Sequence, residues 1–101
     1  MSNIIERLLE TIKERKGRSP ETSYTSFLLS KGNNHCLNKL KEEVEELKKA
    51  IENQTNTVHE SADVIYHLLV TLESAGINFK QVLKELEKRE GTSGFKEKAS
   101  R

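Results

Sequence analysis

A chain of 101 residues with 34% hydrophobic and 33% charged side chains suits one domain, residues 1–101, whose helices each bury a single stripe. A net charge of +1 excludes a global bias toward nucleic acid or membrane surfaces, and no run approaches the ~18 apolar residues of a membrane span. The lone Cys36 cannot close an internal disulfide and Met1 to Arg7 lack a signal peptide's apolar core, which points to the reducing cytoplasm.

Ile4, Ile5, Leu8, Leu9 and Ile12 form the i, i+1, i+4, i+5, i+8 stripe of an amphipathic helix over residues 3–16. Asn3 with Glu6 reads as its capping box, and Gly17 suits the position just past its end. Residues 17–22 hold the single proline and form a loop. Ser23 caps a short second helix in which Tyr24, Phe27 and Leu28 are expected to face inward, ended by Gly32.

A third helix is predicted at about 34–53, with Leu37, Leu40, Val44, Leu47 and Ile51 in 3-4-3-4 spacing. At ~100° per residue these five share a narrow arc. Glu43 lies at its edge, with Lys39 and Glu46 farther round the same flank. Glu42 lies beyond them and Glu45 points to the opposite side. The seam spans only about two heptads, so it is core or half of a subunit interface rather than a free-standing coiled coil.

Residues 53–57 make a polar connection of the length common in helical hairpins. The fourth helix, about 57–74, carries Val58, Ala62, Ile65, Leu69 and Leu72 on one stripe, with Val64, Leu68 and Val70 widening it. A helix apolar on more than one side is central or covered by a second subunit. Asn78 and Gln81 open a fifth helix at about 79–90, with Phe79, Val82, Leu83 and Leu86 inward. The segment from about 90 to 101 reads as a cationic, glycine-hinged tail. With no strand alternation anywhere, the architecture expected is all-α, with four to five helices.

The chemistry concentrates between Lys39 and His67. Glu43 and Glu46 form one Glu-x-x-Glu step, and Glu60 and Asp63 form a Glu-x-x-Asp step. Three residues is close to one turn, so each pair aims its carboxylates the same way. On the third helix alone, the acidic run reads equally as a solvated face, with pairs such as Glu45 and Lys49. Glu60 and Asp63, however, lie on a mostly apolar helix, where clustered carboxylates raise one another's pKa or demand a cation. Two such helices side by side would gather four oxygen donors, which suits Mg²⁺ and the phosphates it carries. His59-Glu60-Ser61-Ala62-Asp63 falls one residue short of the zinc motif, because Asp63 stands where the second imidazole belongs. His67, four residues after Asp63, has three roles open to it: orienting that carboxylate, contacting a phosphate, or filling a polar pocket. In the tail, Arg89, Lys96, Lys98 and Arg101 stand near the backbone donors of Ser93-Gly94, a combination suited to gripping polyphosphate.

These residues give the chain a family resemblance. It resembles the phosphoribosyl-ATP pyrophosphohydrolases, within the all-α nucleoside-triphosphate pyrophosphohydrolase superfamily. The superfamily pattern falls on Glu43, Glu46, Glu60 and Asp63. Pro20, Ser23-Tyr24-Thr25, Leu28 and Lys31-Gly32 match the family's early segment, and Ala62-Asp63, Tyr66-His67-Leu68 and Leu69 match a second mark. Arg89, Gly91, Ser93-Gly94, Glu97-Lys98 and Arg101 match a third. Many relatives carry glycine where this chain has Lys41, a departure that removes no ligand.

The resemblance implies Mg²⁺-dependent hydrolysis of phosphoribosyl-ATP to phosphoribosyl-AMP and pyrophosphate, the second step of histidine biosynthesis. On that footing Glu43, Glu46, Glu60 and Asp63 bind the metal, one of them taking the attacking water's proton, with Glu42 as an outer or alternate ligand. Lys39, His67, Arg89, Lys98 and Arg101 become the candidates for holding phosphates. The length leaves no room for the cyclohydrolase domain fused to some relatives, so a free-standing form is expected. A homodimer is expected too, its central helices forming a four-helix bundle with the sites near the interface. Two competing readings are a house-cleaning pyrophosphohydrolase of the same superfamily and a non-catalytic helical interaction module.

Overall fold

The computed structural model describes residues 3–91 and 94–100, and these form six α-helices with no strand among them. In chain order they are α1 (Ile4–Arg15), α2 (Tyr24–Lys31), α3 (Asn33–Asn53), α4 (Thr57–Ser74), α5 (Phe79–Arg89) and α6 (Gly94–Ser100). The first five lie within a residue or two of the segments that periodicity and capping predict. The sixth is new: seven residues of the stretch read as a tail are helical.

Cap chemistry sets the helix starts. The Asn3 side chain accepts from the Glu6 amide at 2.9 Å, and Ser23 Oγ accepts from the Ser26 amide at 3.0 Å. Asn78 Oδ1 caps α5 through the Lys80 amide at 2.9 Å, one residue earlier than the Asn78–Gln81 pattern suggests. Each satisfies an amide that has no partner within its helix. Gly17, just past α1, takes a φ of 82°, the left-handed conformation its place at the helix end demands.

The α3–α4 hairpin is the most extensive helix pairing in the molecule. Its turn is tight: Gln54 and Asn56 both adopt left-handed backbone, with φ of 55° and 52°. The Gln54 and Thr55 amides close onto the carbonyls of Ala50 and Ile51, which ends α3 cleanly. α1 and α2 lie across the far end of this hairpin. Ile12, Leu28, Cys36, Leu69 and Val70 form the buried centre, with Ile5, Leu8, Leu9, Phe27, Leu29, Tyr66 and Phe79 packed around it. Two polar side chains inside this core are paired with the backbone. Cys36 Sγ donates to Leu28 O at 3.3 Å and Thr71 Oγ1 to His67 O at 2.7 Å.

Two inward assignments, on α2 and α5, do not hold for the single chain, and the stripes of α3 and α4 are left uncovered in it. Tyr24 is 52% exposed although Phe27 and Leu28 beside it pack inward. Leu37, Val44 and Ile51 of the α3 seam are exposed, Ile51 at 58%. On α4, Val58 is 86% exposed and Ile65 and Leu68 are also uncovered, while Leu69 is buried. Leu83 and Leu86 of α5 likewise face outward. For α3 and α4 the physical reason is that the stripe meets no covering element among the described residues. α5 makes few contacts with the other helices, which leaves Leu83 and Leu86 open.

Candidate active site

The carboxylates gather where the flank of α3 meets the first turns of α4. Glu43 is the most enclosed of them, its side chain 23% exposed. Burial pushes its carboxyl above the ordinary carboxylate range, and the charges of Asp63, Glu60, Glu46 and Glu42, in decreasing order, push it further. The other four acidic residues singled out by spacing therefore lie close enough to act on its carboxyl. Glu45 has no part in this, as its place on the far side of the helix requires.

His67 stands beneath Glu43, buried, with Nε2 3.8 Å from Glu43 Oε1. That distance is too long for a hydrogen bond. Proximity alone would favour an imidazolium–carboxylate pair, yet burial dominates and lowers the His67 pKa. Glu43 moving up and His67 moving down both oppose an ion pair, and we describe the imidazole as neutral. Its ring meets Tyr66 edge-on at 5.0 Å between centroids and Tyr24 at 6.0 Å.

The tightest convergence is on α4. Ligand-capable atoms of His59, Glu60 and Asp63 lie within 4.8 Å of one another. Nε2 of His59 is 3.3 Å from Asp63 Oδ2. Glu42 and Glu46, more exposed, are drawn toward lysines: Lys39 Nζ is 3.2 Å from Glu42 and Lys49 Nζ 3.8 Å from Glu46. Their i, i+3 spacing makes such pairs natural on a free helix face. Lys39 belongs to the site edge. Its hydrogen bond to Glu42 raises its pKa first, and the Tyr24 phenol and the Glu43 carboxylate add smaller contributions.

Arg89 pairs with Glu85 at 3.0 Å, one turn back on α5, and Lys98 is exposed in the last turn of α6. Arg101 and Ser93 lie outside the described residues. Shallow grooves along α5 are lined by Leu83, Leu86 and Arg89. They hold none of the five clustered carboxylates. Sequence reasoning passed over two residues at the site, His59 and Tyr24. His59 was within reach, because i, i+4 from Asp63 is the spacing that places two side chains on one face. Tyr24 was not, since helical period groups it with Phe27 and Leu28.

The donor set is carboxylate oxygen with one neighbouring imidazole, crowded enough that Glu43 resists ionising. That chemistry fits an oxygen-seeking divalent cation, which removes the mutual repulsion and leaves coordination positions for a ligand's oxygens.

Known proteins of the same pattern were found along nearly the whole chain. The family model described as phosphoribosyl-ATP pyrophosphohydrolase matches residues 5–90. Proteins named phosphoribosyl-ATP pyrophosphatase are similar to it. The one from Cereibacter sphaeroides is 44% identical over 98% of this chain and 98% of its own length. That from Rhodobacter capsulatus is 46% identical over 96% of each, and that from Dechloromonas aromatica 46% over 98% of this chain and 94% of its own. Identity at this level, across the elements that carry every carboxylate of the cluster, leaves one assignment: the chain belongs to the phosphoribosyl-ATP pyrophosphohydrolase family.

Proposed function

We propose that this chain hydrolyses the α–β phosphoanhydride of phosphoribosyl-ATP, releasing phosphoribosyl-AMP and pyrophosphate in histidine biosynthesis. Its relatives carry that substrate in their names. The observation that carries the reading within this molecule is the convergence of Asp63, Glu60, Glu46 and Glu42 on Glu43. A hairpin that tolerates such repulsion beside a buried imidazole is built for a bound cation rather than for stability.

Glu43, Glu46, Glu60 and Asp63 are the proposed metal ligands, with Glu42 an outer or alternate one. Mg²⁺ held there supplies charge neutralisation to the phosphates and a template for in-line displacement. Water adds to one phosphorus of the scissile link while the bridging oxygen leaves with the other, and a carboxylate of the cluster takes the water's proton. His67, neutral and enclosed, packs beneath Glu43. Lys39 at the rim is the proposed phosphate contact nearest the cluster. Arg89, Lys98 and Arg101 are proposed to reach the far phosphates once substrate is bound.

The assembly proposed is a cytoplasmic homodimer of single-domain chains, residues 1–101, in which two α3–α4 hairpins make a four-helix bundle. The exposed stripe of Leu37, Val44, Ile51, Val58 and Ile65 supports it. The single cysteine, buried with its thiol pushed up by burial, suits a reducing compartment.

Pyrophosphate release with Mg²⁺, measured on phosphoribosyl-ATP and on a panel of canonical nucleoside triphosphates, tests the reaction. The expected result is turnover of phosphoribosyl-ATP at least about a hundredfold more efficient than of any panel member, a gap typical of sites that read polar substrate groups. Comparable rates across the panel would make the chain a house-cleaning enzyme. No release from any of them would leave it a binding module.

A further inference from the structure

Tyr24 is held by its surroundings and yet left open. The Ser23 cap fixes the start of α2. Ser26, buried, donates its hydroxyl to Arg15 O at 3.1 Å, which ties the same turn to α1. Thr25 Oγ1 and the Tyr66 hydroxyl lie 2.6 Å apart, which ties it to α4. Three anchors within four residues give the Tyr24 backbone a fixed place, but the residue remains 52% exposed. An aromatic ring this large, so firmly placed and only half covered, has a face to offer.

That face continues an arrangement already begun. Tyr24 lies 6.3 Å from Phe27 and 6.4 Å from Tyr66 between centroids, inclined by only 18° and 21°, so the three rings share an orientation. His67 meets Tyr24 nearly edge-on at 75°. Across His67 stands Glu43, 3.8 Å from Nε2, so the open ring is one imidazole away from the carboxylates. Lys39 lies near both, close enough for the Tyr24 phenol and Glu43 each to act on its ammonium. The carboxylates, a cation and a half-exposed aromatic residue therefore lie close together. A metal-bound polyphosphate joined to a planar base calls for the same three kinds of group. Offset stacking on a neighbour's open face is the arrangement aromatic rings prefer.

We infer that Tyr24 forms a nucleobase subsite, stacking the purine of the nucleotide whose phosphates the Glu43–Asp63 cluster holds. This rests on the reading above that the carboxylates carry a nucleotide's phosphates. The ring, not the hydroxyl, is the working part.

The test compares wild type with Tyr24→Leu and Tyr24→Phe, titrating each with ATP and with inorganic pyrophosphate in Mg²⁺ by calorimetry. Circular dichroism melting confirms that each variant is folded. Tyr24→Leu is expected to weaken ATP binding on the order of tenfold, the usual worth of one base–aromatic stack. Its pyrophosphate binding should stay within about twofold of wild type, and Tyr24→Phe should match wild type for both ligands. ATP binding unchanged in Tyr24→Leu, or absent from wild type, overturns the inference. So does equal damage from Tyr24→Phe, which would assign the role to the hydroxyl. Parallel loss of pyrophosphate binding also overturns it, because Tyr24 would then be supporting the whole site. A wild type that binds ATP but leaves phosphoribosyl-ATP intact defeats the proposed reaction instead, and the same titrations still decide the subsite.

Discussion

Glu43 shows what function costs at the scale of one side chain. Its folded-state pKa lies above the ordinary value of 4.5, through burial first and four neighbouring carboxylates after it. A group raised in this way binds its proton more tightly in the fold than in the open chain. Its favourable contribution is therefore complete below about pH 4.5 and is lost as pH rises through the folded value. Near neutrality and without metal, the ionised carboxylate works against the fold. Glu43→Gln should thus abolish pyrophosphate release while raising the melting temperature in EDTA at pH 7 by roughly 4 °C, what ~1 kcal/mol gives a domain of this size. The gain should vanish near pH 4, where the native residue is protonated as well. His67 shifts oppositely: lowered by burial, its contribution is present above the ordinary histidine value and lost as pH falls through the folded one. Comparing variant with wild type at each pH removes that shared acid loss. A melting temperature in EDTA that is unchanged or lower at pH 7 would count against crowding as the cause.

At the scale of the element, the hairpin turn decides whether Glu43 and Glu60 meet at all. α3 and α4 keep their register because the chain reverses through two left-handed residues, Gln54 and Asn56. Asparagine tolerates that conformation, but glutamine has no local hydrogen bond to offset its Cβ clash. Gln54→Gly should raise stability by about 0.5–1 kcal/mol, seen as a higher urea midpoint with an unchanged m-value, and leave turnover intact. A lower midpoint would mean that glycine's unfolded-state freedom outweighs the relief. Local chemistry of this kind is what made the elements readable from residues alone. Asn3, Ser23 and Asn78 announced helix starts because their side chains can accept backbone hydrogen bonds, and the structure has all three doing so. The acidic run was readable for a similar reason: 100° per residue separates Glu43 from Glu45 without any tertiary knowledge. α6 was not readable, because Gly94 to Ser100 has no apolar stripe to give a period. The pairing of Tyr66 with Thr25 and the openness of Tyr24 depend on which turn of α2 meets which turn of α4. Periodicity does not encode that.

At the scale of the whole molecule, the uncovered stripe is the feature periodicity finds but cannot finish. The 3-4-3-4 seam of α3 was legible as apolar; what covers it was not, since a stripe looks the same whether its partner is another helix or another chain. In the single chain Leu37, Val44 and Ile51 of α3 and Val58, Ile65 and Leu68 of α4 are all left exposed on the paired helices. Burying what remains exposed of each such side chain is worth on the order of 1 kcal/mol. Six on each of two copies would exceed the several kcal/mol lost on association. A two-fold pairing also suits the geometry, because one hairpin face laid on its copy gives an up-down four-helix bundle with each stripe facing its equivalent. The wild-type chain should therefore sediment as a dimer at micromolar concentration. Ile51→Glu, at the end of the α3 stripe and two turns beyond Glu43, places a charge in that contact without touching the carboxylates. It should shift the chain to a monomer with its helical circular dichroism retained. A wild type that sediments as a monomer, or an Ile51→Glu chain that remains dimeric, would mean that this face is covered by something other than a second copy.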